Sequence, residues 1–275
     1  MGRPALPIGR AHRRLRGCLL VLISIIAGIH PCWGQAAQPA AKEAPLPIDK
    51  IKKTVVFIHG SYDESGTPKS WDGTGFFISQ KDPLLAKGVV DWLVTNKHMI
   101  REPAPAGRVG PFFKQVQIRA NTLETAAEGG RFVELPLPVA DGAGNLLWCV
   151  DPDESVDLAL LQVGPNEKIL DVLAFPTDRI ATKDVFKELK INENDEVLFT
   201  GLFAPYRGLR RNFPIVRHGK LALVTDERIP IDPRNPDLTE ELILAEVTSF
   251  GGNSGSPVFL RVGGIRESGP NLGWS

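Results

Sequence analysis

Cysteine is scarce in this chain: three among 275 residues, at Cys18, Cys32 and Cys149. Removal of the first 36 residues would leave Cys149 alone, and with it no internal disulfide. A fold of this size must then be held by its core and not by cross-links. An excess of charge of one sign is lacking as well. The 32 basic residues face 32 acidic ones, which points away from nucleic acid and anionic membranes as partners. No apolar run approaches the ~20 residues a spanning helix needs, and Cys18–Ile29 falls well short. Long amphipathic helical patterns, internal repeats and a parallel β-α-β rhythm are also missing, which sets aside bundles, solenoids and doubly wound sheets.

What is present begins with an export-like leader. Arg3, Arg10, Arg13, Arg14 and Arg16 precede the apolar run, and no acid occurs in the first 36 residues. Small residues at Gly34 and Ala36 suit a signal peptidase. Residues 1–36 are therefore expected to be a signal peptide. The protein is expected in the periplasm or outside the cell, with no stable membrane span after cleavage. The remaining chain would carry about −5. Residues 37–50, rich in Ala and Pro, read as a linker.

Beyond the linker come short β-like runs separated by Gly, Pro, Asp and Asn. They fall at residues 54–59, 75–79, 89–96, 114–120, 131–135 and 157–163, then 196–203, 215–225, 242–249 and 257–262. Strict alternation in Gln115–Arg119 turns Val116 and Ile118 inward, and Val90, Trp92 and Val94 share one face. One helical stretch, 182–190 behind a Thr cap, lies between the two clusters of strands. The pattern predicts an all-β fold, barrel or sandwich, and two small antiparallel barrels fit it. The expected units are an N-terminal barrel at 51–164 and a C-terminal barrel at 165–275. Cys149, inside Leu146–Val150, is expected to be a buried small hydrophobe.

Three segments carry chemistry. Gly251-Gly-Asn-Ser-Gly-Ser-Pro257 offers a glycine-flanked serine whose hydroxyl a tight turn would expose. The amides of Gly252 and Ser254 could converge there on a developing oxyanion. Upstream, Leu93-Val-Thr-Asn-Lys-His98 sets a histidine at the exit of an apolar strand, where a general base belongs. His59 and His218 read instead as surface or packing residues. Asp157 opens the apolar run Leu158–Val163, which would hold a partly buried carboxylate at a sheet edge.

Together these residues resemble the trypsin-like serine peptidases. The matching segments are Gly73–Ser79, Val94–His98, Asp157–Leu161 and Gly252–Pro257, in the family's order of His, Asp and Ser, and the likeness spans roughly residues 51–262. It is nearest to the disulfide-poor bacterial HtrA (Deg) branch, although no PDZ-like module follows. The resemblance implies two antiparallel six-stranded barrels with a groove between them. It also implies polypeptide substrates, an acyl-enzyme route, and no metal or organic cofactor. His98 would be the base, Asp157 its orienter and Ser254 the nucleophile, with Gly252 and Ser254 lining the oxyanion hole. The pocket floor would fall at Thr248 and Ser249, uncharged and suited to a small or apolar side chain rather than Lys or Arg. Oligomeric state is not legible.

Two departures matter. Asn253 stands where digestive members carry an aspartate, so activation by a newly cut N-terminus is not expected. Only 21 residues follow Ser254, so the second barrel is expected to be incomplete. That leaves an alternative: a protease-fold protein that binds peptides or partners without cleaving them.

Overall fold

A computed structural model describes residues 23–25, 48–82, 84, 88–103, 110–124, 130–232 and 235–261. The expected cleavage site, nearly all of the linker and the tail after residue 261 lie outside these residues.

The first described strand, β1 (Ile23–Ile25), belongs to the second sheet. A short helix, α1 (Ile48–Lys52), leads into β2 (Val55–Glu64) and β3 (Thr67–Lys81). Ser65 and Gly66 join them with φ of 55° and 83°, and positive φ at both turn residues matches the twist of a two-residue hairpin. There follow β4 (Val89–Thr95), a 3-10 helix (Lys97–Ile100), β5 (Gln115–Asn121) and β6 (Phe132–Pro138). Next come β7 (Cys149–Val150), β8 (Ala159–Gln162) and β9 (Phe175–Pro176).

These strands form one sheet in the order β6-β5-β2-β3-β4-β8-β7, with β9 parallel to β3. A bridge between Ala140 and Leu146 brings the two edges together, so the sheet curls on itself. Val116 and Ile118 point into it beside Val56, Ile58, Phe77, Leu93 and Trp148. Leu170 and Val172 share that core, so the first packing unit runs past the boundary drawn at residue 164. Its strand count also departs from six, with eight among the described residues.

The other strands of the second sheet follow α2 (Lys183–Glu188), whose Thr182 hydroxyl caps the Val185 amide. Besides β1 its strands are β10 (Glu196–Gly201), β11 (Ile215–Leu223), β14 (Leu244–Val247) and β15 (Val258–Leu260), while β12 (Ile229–Asp232) and β13 (Asn235–Glu240) form a separate two-stranded hairpin between β11 and β14 in the chain. The order is β1-β15-β10-β11-β14, antiparallel except for β1 on β15.

Both faces of β4 are buried at its end, for two different reasons. Leu93 enters the first core, while Val94 enters a cluster shared by the sheets with Val55, Phe76, Ile78, Phe175, Leu198 and Phe259. Phe175 and Phe259 meet edge to face at 5.8 Å within it. Cys149 is exposed, contrary to expectation. Trp148, just ahead of the short edge strand β7, is buried, and the next residue turns outward.

Candidate active site

The end of β4 and the 3-10 helix behind it present three consecutive residues to one turn of the chain, 151–157. Asn96 donates its side-chain amide to the Asp157 carbonyl at 2.9 Å. The His98 amide donates to Asp157 Oδ1 at 2.9 Å, and its ring Nδ1 lies 2.6 Å from Asp157 Oδ2. Both carboxylate oxygens are thus engaged by one residue, which fixes the imidazole plane against the carboxylate. The two side chains remain 54% and 38% exposed, open enough for the ring's far nitrogen to meet a substrate.

Burial is the largest influence on the Asp157 carboxyl and would raise it. The bonds and charge of His98, with the Lys97 amide, outweigh burial and hold the carboxyl below its ordinary value. Asp157 therefore stays ionised beside the imidazole.

Ser254 is carried by the turn between β14 and β15. Thr74 of β3 docks that turn onto the first sheet. Its amide donates to the Ser254 carbonyl at 2.8 Å and its hydroxyl donates to the Gly252 carbonyl at 2.9 Å. The same hydroxyl accepts the Leu202 amide at 2.8 Å, while Thr95 donates to the Thr74 carbonyl at 2.8 Å. Gly255 has φ of 82°, and a Cβ there would strike the Thr74 carbonyl and the Thr95 hydroxyl. Only glycine permits this approach of the serine turn to the strand end that bears His98. No hydrogen bond joins Ser254 Oγ to the His98 ring among the described residues, and such bonds commonly close only around bound substrate.

The amide of Ala204 donates to the Gly251 carbonyl at 3.2 Å. Across a trans peptide the Gly252 N–H then points away from Ala204, and Gly252 itself has φ of 95°. Ser254 is exposed at this turn, with Thr248 and Ser249 exposed just before it. The Asn253 side chain donates to Ser249 Oγ at 3.2 Å.

A feature the sequence did not suggest lies beside them. Arg217 of β11 donates to the Thr248 carbonyl at 2.8 Å, and its guanidinium sits 4.3 Å from the Phe250 ring centre. Burial pushes its pKa down. A second histidine–aspartate pair, His59 with Asp72 at 2.9 Å, differs from the first, because Arg207 binds the same carboxylate oxygen at 3.2 Å.

The sequence matches the trypsin-like peptidase domain over residues 73–264, a span that contains His98, Asp157 and the serine turn. The chain belongs to the trypsin-like peptidase family. The all-β, largely antiparallel architecture of this peptidase is what that membership requires. Among solved structures it is similar to the tobacco vein mottling virus protease, at 14% identity and a TM-score of 0.37 over 82% of this chain and 72% of that one. It is also similar to a catalytically active tobacco etch virus protease complexed with product, at 11% identity and a TM-score of 0.35 over 85% and 75% of the two chains. No curated protein matches the peptidase at the sequence level. No described helix is long and apolar enough to cross a membrane.

Proposed function

We propose that this peptidase is an exported serine endopeptidase using His98, Asp157 and Ser254. One observation carries the reading: His98 grips both oxygens of Asp157 within the family-matched segment that also bears the docked serine turn. Ser254 Oγ attacks the scissile carbonyl as His98 takes its proton, and Asp157 holds the ring and stabilises the imidazolium. The amides of Gly252 and Ser254 bind the oxyanion. His98 then protonates the leaving amine, and water, activated by the same base, hydrolyses the acyl-enzyme.

Thr248 and Ser249 bring no charge to the site, while Arg217 brings a cation to the Thr248 carbonyl. Both favour a small or apolar side chain before the cleaved bond over Lys or Arg. Export is supported by the basic and then apolar leader. Its cleavage would release Ile23–Ile25 from the edge of β15.

The test is labelling of the purified protein with a fluorophosphonate. Labelling that disappears in Ser254→Ala supports the enzyme. The alternative reading is peptide binding without cleavage. An unlabelled wild-type protein that still binds peptides would establish that one.

A further inference from the structure

The turn that carries Asp157 is held by more than His98. Lys97, the preceding residue, has a side chain only 3% exposed. Its ammonium donates to the carbonyls of Asp151 and Asp153, both at 3.0 Å, and to Glu154 Oε2 at 3.4 Å. A buried ammonium needs three acceptors to replace its hydration, and here all three come from the turn just ahead of the acid. Arg101, from the far end of the same 3-10 helix, adds a forked pair to Glu154 at 2.8 and 3.2 Å.

A third cation reaches the turn from outside the two main sheets. Arg228 stands at the foot of hairpin β12–β13. It donates to Thr239 Oγ1 at 3.1 Å and to the Thr239 carbonyl at 2.6 Å, and then to Ser155 Oγ at 2.6 Å. Ser155 passes its own hydroxyl hydrogen to Asp153 Oδ1 at 2.7 Å, and Arg228 Nη1 lies 4.0 Å from Asp153 Oδ2. The next residue of the hairpin after Thr239, Glu240, feels the triad acid directly. Burial raises its carboxyl first, and the charge of Asp157 raises it further.

Resting on the triad reading above, we propose that Lys97 and Arg228 are positioning residues that fix the Asp157 turn against His98, making hairpin β12–β13, a two-stranded ribbon outside the two main sheets, part of the catalytic apparatus. Neither touches the reacting atoms. Lys97 ties the acid's turn to the histidine's own helix, and Arg228 ties it to a hairpin more than 70 residues further along the chain. Geometry at the His98–Asp157 pair then depends on a contact from a hairpin outside the two main sheets.

The experiment uses the full chain and the fluorophosphonate probe, comparing wild type with Arg228→Gln and Lys97→Met. The Arg228 side chain is 47% exposed, so its replacement leaves the cores intact. Two quantities are read: the inactivation rate constant and half-saturation of the probe, and the low-field NMR signal of the proton between His98 and Asp157. The expected result is a fall in the rate constant of about tenfold or more, little change in half-saturation, and a displaced proton signal in both variants. If Lys97→Met fails to fold, Arg228→Gln decides. A wild-type rate constant with an unmoved signal in Arg228→Gln overturns the proposal. So does a slower rate with an unmoved signal, because Arg228 would then act elsewhere. An unlabelled wild-type protein defeats the protease reading instead; the proton signal then judges the clamp alone.

Discussion

The hydroxyl of Thr74 donates to the Gly252 carbonyl while receiving the amide of Leu202. One oxygen on the first sheet thus organises two segments of the second, the serine turn and the exit of β10. Thr74→Val keeps the shape and removes both bonds. The Leu202 amide is then buried without a partner, at about 1–3 kcal/mol. Chemical denaturation should show that loss, and kcat should fall more than KM changes. Thr74→Ser should restore most of both.

Gly255→Ala should be among the most damaging single-methyl changes in the protein. Its φ of 82° disfavours any side chain, and the added methyl meets backbone at Thr74. Strain of this kind costs about 1–3 kcal/mol, and the turn can relieve it only by backing away from β3. Fluorophosphonate labelling should become undetectable while circular dichroism still reports a β-rich fold. Wild-type labelling in this variant would contradict the docking described here.

The turn 151–157 should be the first part of the site to fail in acid. Asp153 is held below its ordinary value by the Ser155 hydroxyl and amide, and Glu154 by Arg101. Asp157 is lowered by His98 despite its burial. Carboxyls lowered on folding contribute stability that is complete above their unfolded values, about 3.9 for Asp and 4.3 for Glu. That contribution drains away as the pH drops through the lower folded values. Thermal unfolding should therefore be insensitive to these groups above about pH 5 and shift downward below about pH 4. A melting temperature that climbed on acidification across that range would refute the assignment.

Cys149 should react with a maleimide in the folded protein without denaturant, since it lies on the surface of β7. Mass mapping locates the adduct. Cys149→Ser should leave both stability and Ser254 labelling unchanged, because no contact of the site passes through it.

Much of this was legible in the residues. Alternation placed Val116 and Ile118 correctly, and Thr182 announced its helix. The side chains at 98 and 157 stood in segments that the fold joins. Other features resisted reading for physical reasons. The long β2–β3 hairpin continues through polar residues 60–70, with only Ser65-Gly66 to mark its turn. Hairpin β12–β13 contains Pro230 and Pro236, which argue against a central strand but suit a two-stranded ribbon outside the main sheets. Nothing in the sequence singled out Lys97 or Arg228. Only the fold reveals that both serve a turn near residue 154, distant in sequence from each.

The cluster that takes Val94 and Phe76 from one sheet and Leu198 and Phe259 from the other has a mechanical outcome. Two halves that share interior side chains cannot swing apart about a linker without exposing them to water. A calorimeter should therefore record one melting event, and a polypeptide reaching His98 must find room by shifting loops, never by prying the halves open.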